Sequence, residues 1–320
     1  HPNAFYLRTR QRGMQNWDGK IHYITKTGQF KIGLLPKVYD MCIEMGIKPK
    51  VVDMRQPLPK VSKVVTNIGK YKLRPEQEKA VKSVINNRVG DTPFHIGVLD
   101  YTVNAGKTLI MSSLYLTYKK QLKTLLITND SDWLNQAREE FKQYLPGEDI
   151  TFVQGKVLNW SNFTIGMVQS ISRNMRFYQK ELSQIDMVLV DEADQGGSKQ
   201  YQNVITRLFN TRIRIGLSGT IYMSKLAKDK VKNMNLECFF GKVIAEFKLK
   251  DSIKKGYSTK TIVKMVPGKP WYGNWESDCI SYKEIYDDSI TENNTAWTMA
   301  YNRLRWNINQ GRYPALVVCK

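Results

Sequence analysis

The stretch Phe94-His95-Ile96-Gly97-Val98-Leu99-Asp100-Tyr101-Thr102-Val103-Asn104-Ala105-Gly106-Lys107-Thr108-Leu109-Ile110 decides how the rest of the chain is read. An apolar run (Ile96, Val98, Leu99) enters a short polar loop. The loop ends in Gly106-Lys107-Thr108, and Leu109, Ile110 and Leu114 open a helical apolar pattern. Strand, loop and helix in that order cradle phosphate, because the N–H groups of the loop and of the helix start converge on one spot and favour negative charge there. Asn104, Ala105 and Gly106 supply the loop. Lys107 is placed to reach β- and γ-phosphates, and the Thr108 hydroxyl to ligate Mg²⁺. The spacing departs from G-x-x-x-x-G-K-[ST], since Tyr101 stands where the first Gly would fall. Asn104 is tolerable at a Gly-like position, because Asn accepts positive φ better than most residues.

Composition limits what such a chain binds. The 320 residues carry 49 Lys+Arg against 29 Asp+Glu, a net charge of +20. A field of that size points to a polyanion, nucleic acid before membrane. Two domains are the expectation from length, three if one is small. No apolar run approaches the ~18 residues of a membrane span. Cys42, Cys238, Cys279 and Cys319 are far apart, and His1, His22 and His95 form no ligand spacing. Reduced thiols, a cytoplasmic setting and no structural zinc are expected. His1 stands first rather than Met, so a trimmed or incomplete amino terminus is expected.

Residues 1–68 read as a small basic α+β domain. Asn16-Trp17-Asp18-Gly19 is a turn signal, Ile21–Ile24 and Phe30–Ile32 suggest strands, and Leu35, Val38, Tyr39, Cys42, Ile43 and Met45 make a helical stripe. Arg8, Arg10, Arg12, Lys20, Lys26, Lys31 and Lys37 crowd its first half, interleaved with Tyr6, Trp17, Tyr23 and Phe30. Those aromatics either stack on bases, as in single-strand binders, or form the domain's own core.

From residue 69 the pattern alternates. Pro75 suits a first helical turn, followed by Ala80, Val81, Val84 and Ile85 on one face. Thr124–Thr128, Ile150–Val153, Phe163–Met167, Met187–Val190 and Ile213–Leu217 read as strands. Helices are expected after Ser131 and over 198–209. Alternation of this kind implies a parallel sheet covered on both faces. Ligands bind at the carboxyl ends of such strands. Three polar clusters follow apolar strands: 101–108, Asp191-Glu192-Ala193-Asp194 and Ser218-Gly219-Thr220. In a phosphoryl-transfer site Asp191 would hold Mg²⁺ and Glu192 would orient and deprotonate the attacking water. Ser218 and Thr220 offer hydroxyls to Asp194.

The order of these elements resembles superfamily 2 helicases and translocases. Arg74 and Gln77 in Leu-Arg-Pro-Glu-Gln resemble the adenine-reading motif. Tyr101–Thr108 resembles motif I, Trp133–Gln136 with Phe141 motif Ia, Met167–Ser170 the next strand-contacting motif, Asp191–Asp194 motif II and Ser218–Thr220 motif III. Asn16–Lys20 and the basic front are similar to the phage UvsW-type recombination helicases. Asp-Glu-Ala-Asp alone would suggest a DEAD-box protein, but Thr128–Asp132 and Ser-Gly-Thr depart from that family.

The resemblance implies a fold: an α/β RecA-like P-loop motor domain over 69–245, after the front domain, with the beginning of a second such domain over 246–320. Lys260–Val266 and Pro314–Lys320 would be its first strands, with a helix near 280–309 between them. The arginine-bearing motif of a complete second domain is not in the sequence. The resemblance also implies ATP and Mg²⁺, Lys107, Asp191 and Glu192 as catalytic residues, and coupling through Asp194, Ser218, Gly219 and Thr220. DNA would be the partner, single-stranded, forked or branched, touched by Asn129, Trp133, Gln136, Gln169 and Ser170 and by Arg8, Arg10, Arg12 and Lys20. The setting would be cytoplasmic, that of a host cell if the protein is phage-encoded. Two alternatives stand beside an unwinding motor: a duplex-DNA translocase that does not separate strands, and a non-catalytic nucleic-acid-binding module with a degenerate ATP site.

Overall fold

Apolar runs without polar alternation mark strands buried on both faces. In the computed structural model, which describes residues 18–118, 121–155, 157–221, 227–260 and 294–310, these runs join one sheet. Its strands are β1 (Ile96–Tyr101), β2 (Thr124–Thr128), β3 (Ile150–Gln154), β4 (Val157–Leu158), β5 (Phe163–Met167), β6 (Met187–Asp191), β7 (Ile213–Ser218) and β8 (Val243–Phe247). Their order across the sheet is β8-β1-β7-β6-β2-β5-β3-β4. All pairings are parallel except that of β3 with the two-residue β4. Every residue of β1, β2, β6 and β7 is buried, as the apolar runs require.

Helices supply the crossovers that parallel strands need. They are α1 (Leu35–Glu44), α2 (Pro75–Ile85), α3 (Lys107–Thr117), α4 (Ser131–Tyr144), α5 (Val168–Arg173), α6 (Gln179–Ser183), α7 (Lys199–Ile205), α8 (Ala227–Phe240), α9 (Leu249–Lys254) and α10 (Asn294–Asn309). Successive strand side chains point to opposite faces. Leu99, Leu126 and Leu189 therefore meet α2, α3 and α4 through Val81, Leu114 and Phe141. Val98, Ile127 and Val190 meet α5, α7 and α8 through Val168, Val204 and Phe240. Register aligns the strand ends: Asp191 lies opposite Leu217, and Ser218 opposite Asp100. The three polar clusters thus share the carboxyl edge of the sheet.

The front segment differs from its expected form. Only a single bridge, Ile24 with Phe30, stands where two strands were expected. Helix α1 forms, but Ile43 and Met45 of its stripe are exposed. Residues 1–259 make one compact unit and 260–320 another, so the divisions expected near 68 and 245 both fall inside the first. The reason is packing. Leu34 shares a core with Leu236 and Cys238, and Phe30 and Val38 pack on it. A Cβ on Gly33 would lie 2.1 Å from the Glu237 carbonyl oxygen. Leu58, Val61, Val64 and Val65 cover the other face of the sheet. Past 245, β8 runs on to Phe247, which lies in the core. The helix expected over 198–209 stops at Ile205.

In the second unit the described helix is α10. It exposes Trp297, Tyr301 and Trp306. The strands expected at 260–266 and 314–320 lie outside the described residues, apart from Lys260. No helix among the described residues is long and apolar enough to cross a membrane.

Candidate active site

The phosphate loop is built from β1, the turn 102–106 and the start of α3. Asn104 adopts φ 62° and Gly106 φ 75°, both left-handed. A Cβ on Gly106 would meet Gln77 Nε2 at 2.3 Å, so glycine is required there by backbone and neighbour alike. The departure at Tyr101 has a plain cause. Its ring is fully buried and its hydroxyl donates to the Glu76 carbonyl at 2.7 Å, tying β1 to the first turn of α2.

Arg74 and Gln77, which precede the loop by about thirty residues of sequence, close on it from α2. Gln77 Oε1 accepts from the Arg74 N–H at 2.8 Å, and Gln77 Nε2 donates to the Ala105 carbonyl at 2.9 Å. Arg74 Nη2 donates to the same carbonyl at 2.8 Å and to that of Asn104 at 3.3 Å. Gln77 is 1% exposed, so in this state it braces the loop rather than facing outward to read a base.

Lys107 lies against the carboxylates after β6. Its Nζ is 3.4 Å from Asp191 Oδ1 and 3.0 Å from Glu192 Oε1. Burial works against the Lys107 charge, but Asp191 and Glu192 outweigh it and hold the ammonium above its usual value. Burial pushes the Asp191 carboxyl above the ordinary carboxylate range despite Lys107. Glu192 sits at φ 49°, a left-handed conformation that costs a non-glycine residue about 1–3 kcal/mol. Tyr201 on α7 has a buried hydroxyl with no hydrogen-bond partner among the described residues, and burial with the nearby Asp191, Asp194 and Glu192 raises its pKa.

Ser218 at the end of β7 donates to Asp194 Oδ1 at 3.3 Å, and its hydroxyl lies 3.3 Å from Thr220 Oγ1. Gly219 lets β7 pass β1 closely, for a Cβ there would be 3.1 Å from the Tyr101 carbonyl oxygen. Of the four residues expected to couple, Ser218 thus touches Asp194, Thr220 touches Ser218, and Gly219 abuts Tyr101 and Thr102.

The expected nucleic-acid residues divide. Gln136 is exposed and bonds Glu140 at 2.8 Å. Gln169 Nε2 donates to the Asn129 carbonyl at 3.2 Å, joining the loops after β2 and β5. Trp133 packs partly on the core. Ser170 is turned inward: it is buried and accepts from the Gly155 N–H at 2.9 Å, so its hydroxyl holds a neighbouring loop instead of facing a strand. Lys20 is exposed. Arg8, Arg10 and Arg12 lie outside the described residues.

Three partners of the site escaped the sequence. Lys255 Nζ bonds Glu76 Oε2 at 2.9 Å, Tyr257 stacks on the Arg74 guanidinium at 4.2 Å from its ring centroid, and Lys248 pairs with Asp100. Each joins residues more than 140 apart, and no local pattern announces them.

The donor set suits a magnesium ion. Asp191 Oδ1 is buried without a hydrogen bond among the described residues, and Thr108 stands in the first turn of α3. No cluster of three or more His, Cys, Asp or Glu is found among the described residues. Mg²⁺ needs none, since it commonly takes one or two protein oxygens with substrate phosphates and water.

A parallel sheet with a phosphate loop, an Asp-Glu pair and a Ser-Gly-Thr turn along one edge is a RecA-like α/β arrangement. Residues 70–223 match the family described as type III restriction enzyme, res subunit. The chain is similar to the ATP-dependent DNA helicase UvsW of Enterobacteria phage T4, 22% identical over 228 residues, covering 64% of this chain and 43% of that protein. It therefore spans less than half the length of that curated relative. Two crystal structures of T4 UvsW share the fold at a TM-score of 0.56. One is 20% identical and matches 77% of this chain and 93% of its own; the other is 22% identical and matches 72% and 48%.

Proposed function

We propose that the chain is the ATP-hydrolysing part of a DNA helicase or translocase that acts on forked or branched DNA. The observation that carries this reading is the contact of Lys107 with Asp191 and Glu192 beside a left-handed Gly106. A triphosphate entering the loop would take Lys107 from the carboxylates, which frees Glu192 to orient and deprotonate water. Mg²⁺ would be held by Thr108 and Asp191 and would neutralise phosphate charge. Arg74 and Gln77 would set the loop's shape from the base side. Asp194, Ser218 and Thr220 would pass the change at the γ-phosphate to the strand-facing loops. Asn129, Trp133, Gln136 and Gln169 would grip one strand there, with Lys20, Arg8, Arg10 and Arg12 adding affinity. The similarity to a phage DNA helicase and the net charge of +20 support DNA as the partner.

The test is ATP turnover of the full-length protein titrated with single-stranded, duplex, forked and four-way DNA. Stimulation greatest with forked or four-way DNA, together with unwinding of a fork, is expected. DNA-independent or absent hydrolysis would refute a motor, and triplex displacement without fork unwinding would leave a duplex translocase. Glu192→Gln should keep nucleotide binding and lose turnover.

A further inference from the structure

Beyond the strand-facing loops, a second basic surface lies at the turn between α5 and α6. Arg173, Arg176 and Arg207 surround a pocket of about 260 Å³, with Ser172 and Gln179 on its wall and no carboxylate. Phe177 stands at this pocket and is 81% exposed. Single exposed apolar side chains are ordinary. Here the neighbours are not, for none of the three guanidinium groups has an ion pair or side-chain hydrogen bond among the described residues. The turn that presents Phe177 is pegged on both sides. Asn174 Nδ2 donates to the Ser170 carbonyl at 2.9 Å, and the next residue, Tyr178, is buried with its ring 5.2 Å from that of Trp160. The phenyl ring is therefore held out on a fixed turn.

We infer that this pocket is a single-stranded nucleic-acid subsite: Arg173, Arg176 and Arg207 take phosphodiester oxygens, and Phe177 stacks on a nucleobase. The inference rests on the function proposed above and adds to it a contact outside the helicase motifs. Guanidinium groups fit phosphate through paired donors, and every base offers a face to an aromatic ring. Continuity supports the same partner, because α5 begins at Val168, next to Gln169 of the strand-contacting motif. A purely acidic protein segment would satisfy the arginines but leave the ring uncovered.

The test uses the full-length protein and a fluorescent oligothymidine. Phe177→Ala should weaken binding roughly tenfold, and Phe177→Trp should restore it, since stacking tolerates any aromatic ring. Each Arg→Gln change should flatten the slope of log K against log salt by about 0.7, the value for one lost single-strand phosphate contact. ATP turnover without DNA should stay at the wild-type rate. Wild-type affinity and salt slope in Phe177→Ala and in the triple Arg→Gln variant would overturn the inference. So would equal loss of oligothymidine and polyglutamate binding in the arginine variants with no effect of Phe177→Ala. Patch-dependent oligothymidine binding without DNA-stimulated hydrolysis would uphold the subsite and reject the motor. Stimulated hydrolysis with unaffected patch variants would do the reverse.

Discussion

The two ends of the sheet handle charge in different ways. At the carboxyl end, the polar partners of Lys107 among the described residues are carboxylates, those of Asp191 and Glu192. At the amino end, arginines are tied to the main chain. Arg55 Nη1 donates to the Thr211 carbonyl at 2.7 Å while Asp53 clasps the rest of the group. Arg212 bonds the Pro57 carbonyl and, at 2.7 Å, Asp186 Oδ1. Arg214 is buried, with Nη1 and Nη2 each 3.3 Å from a carbonyl, those of Phe239 and Leu208. Burial pulls its guanidinium down to about 10, which still leaves it charged at neutral pH. Carbonyls near the end of α8 and in the turn beyond α7 explain how it is accommodated without a carboxylate, because a helix C-terminus favours a cation. A cation fixed to carbonyls fastens one crossover to another. A cation held by carboxylates alone can trade them for a phosphate.

That contrast can be broken by substitution. The largest effect is expected at Lys107→Ala, where ATP turnover should fall roughly 100-fold or more, as when one preorganised charge-stabilising donor is removed. Its thermal midpoint should stay near wild type, and a collapse of Tm would move Lys107 to the structural side. Gly106→Ala comes next. The left-handed φ and the Gln77 amide 2.3 Å from the new methyl should cost about 1–3 kcal/mol and raise the KM for ATP. Arg214→Met should cost a similar amount, about 1–3 kcal/mol in denaturant titration, by leaving two carbonyls without a donor, but with an unchanged KM.

The smallest effect concerns pH. His95 is half-buried at the amino end and hydrogen-bonded to the Val84 carbonyl, and burial holds its pKa below the usual 6.5. The unfolded chain therefore takes up a proton first as pH falls. Stability from this group is complete above about 6.5 and is lost below that value. Tm measured from about pH 8 to 5.5 should fall more steeply for wild type than for His95→Asn, and parallel curves would refute the assignment.

Much of the sheet's carboxyl edge was legible because its chemistry is local. Asn104 was expected to tolerate positive φ, and it takes 62°. Each apolar run before a polar cluster became a strand with its carboxyl end at that edge. Tyr101 looked like a defect and proves to be a tie to α2, because its partner, the Glu76 carbonyl, lies in a different element. The front segment packs as part of the first compact unit. Basic composition suggested independence, while Gly33, Leu34 and the apolar residues of 58–65 commit it to the sheet. No window of sequence reveals that commitment, since the surfaces it covers belong to strands and helices about fifty to two hundred residues away.

The grip of Lys255 and Tyr257 on Glu76 and Arg74 has a mechanical consequence. The backbone that continues past Thr259 leaves from a segment moored to the first turn of α2, the same turn that braces Ala105. A loop reshaped by its ligand would shift that turn and, through it, Lys255 and Tyr257, so the last stretch of the first unit registers what happens beside Gly106.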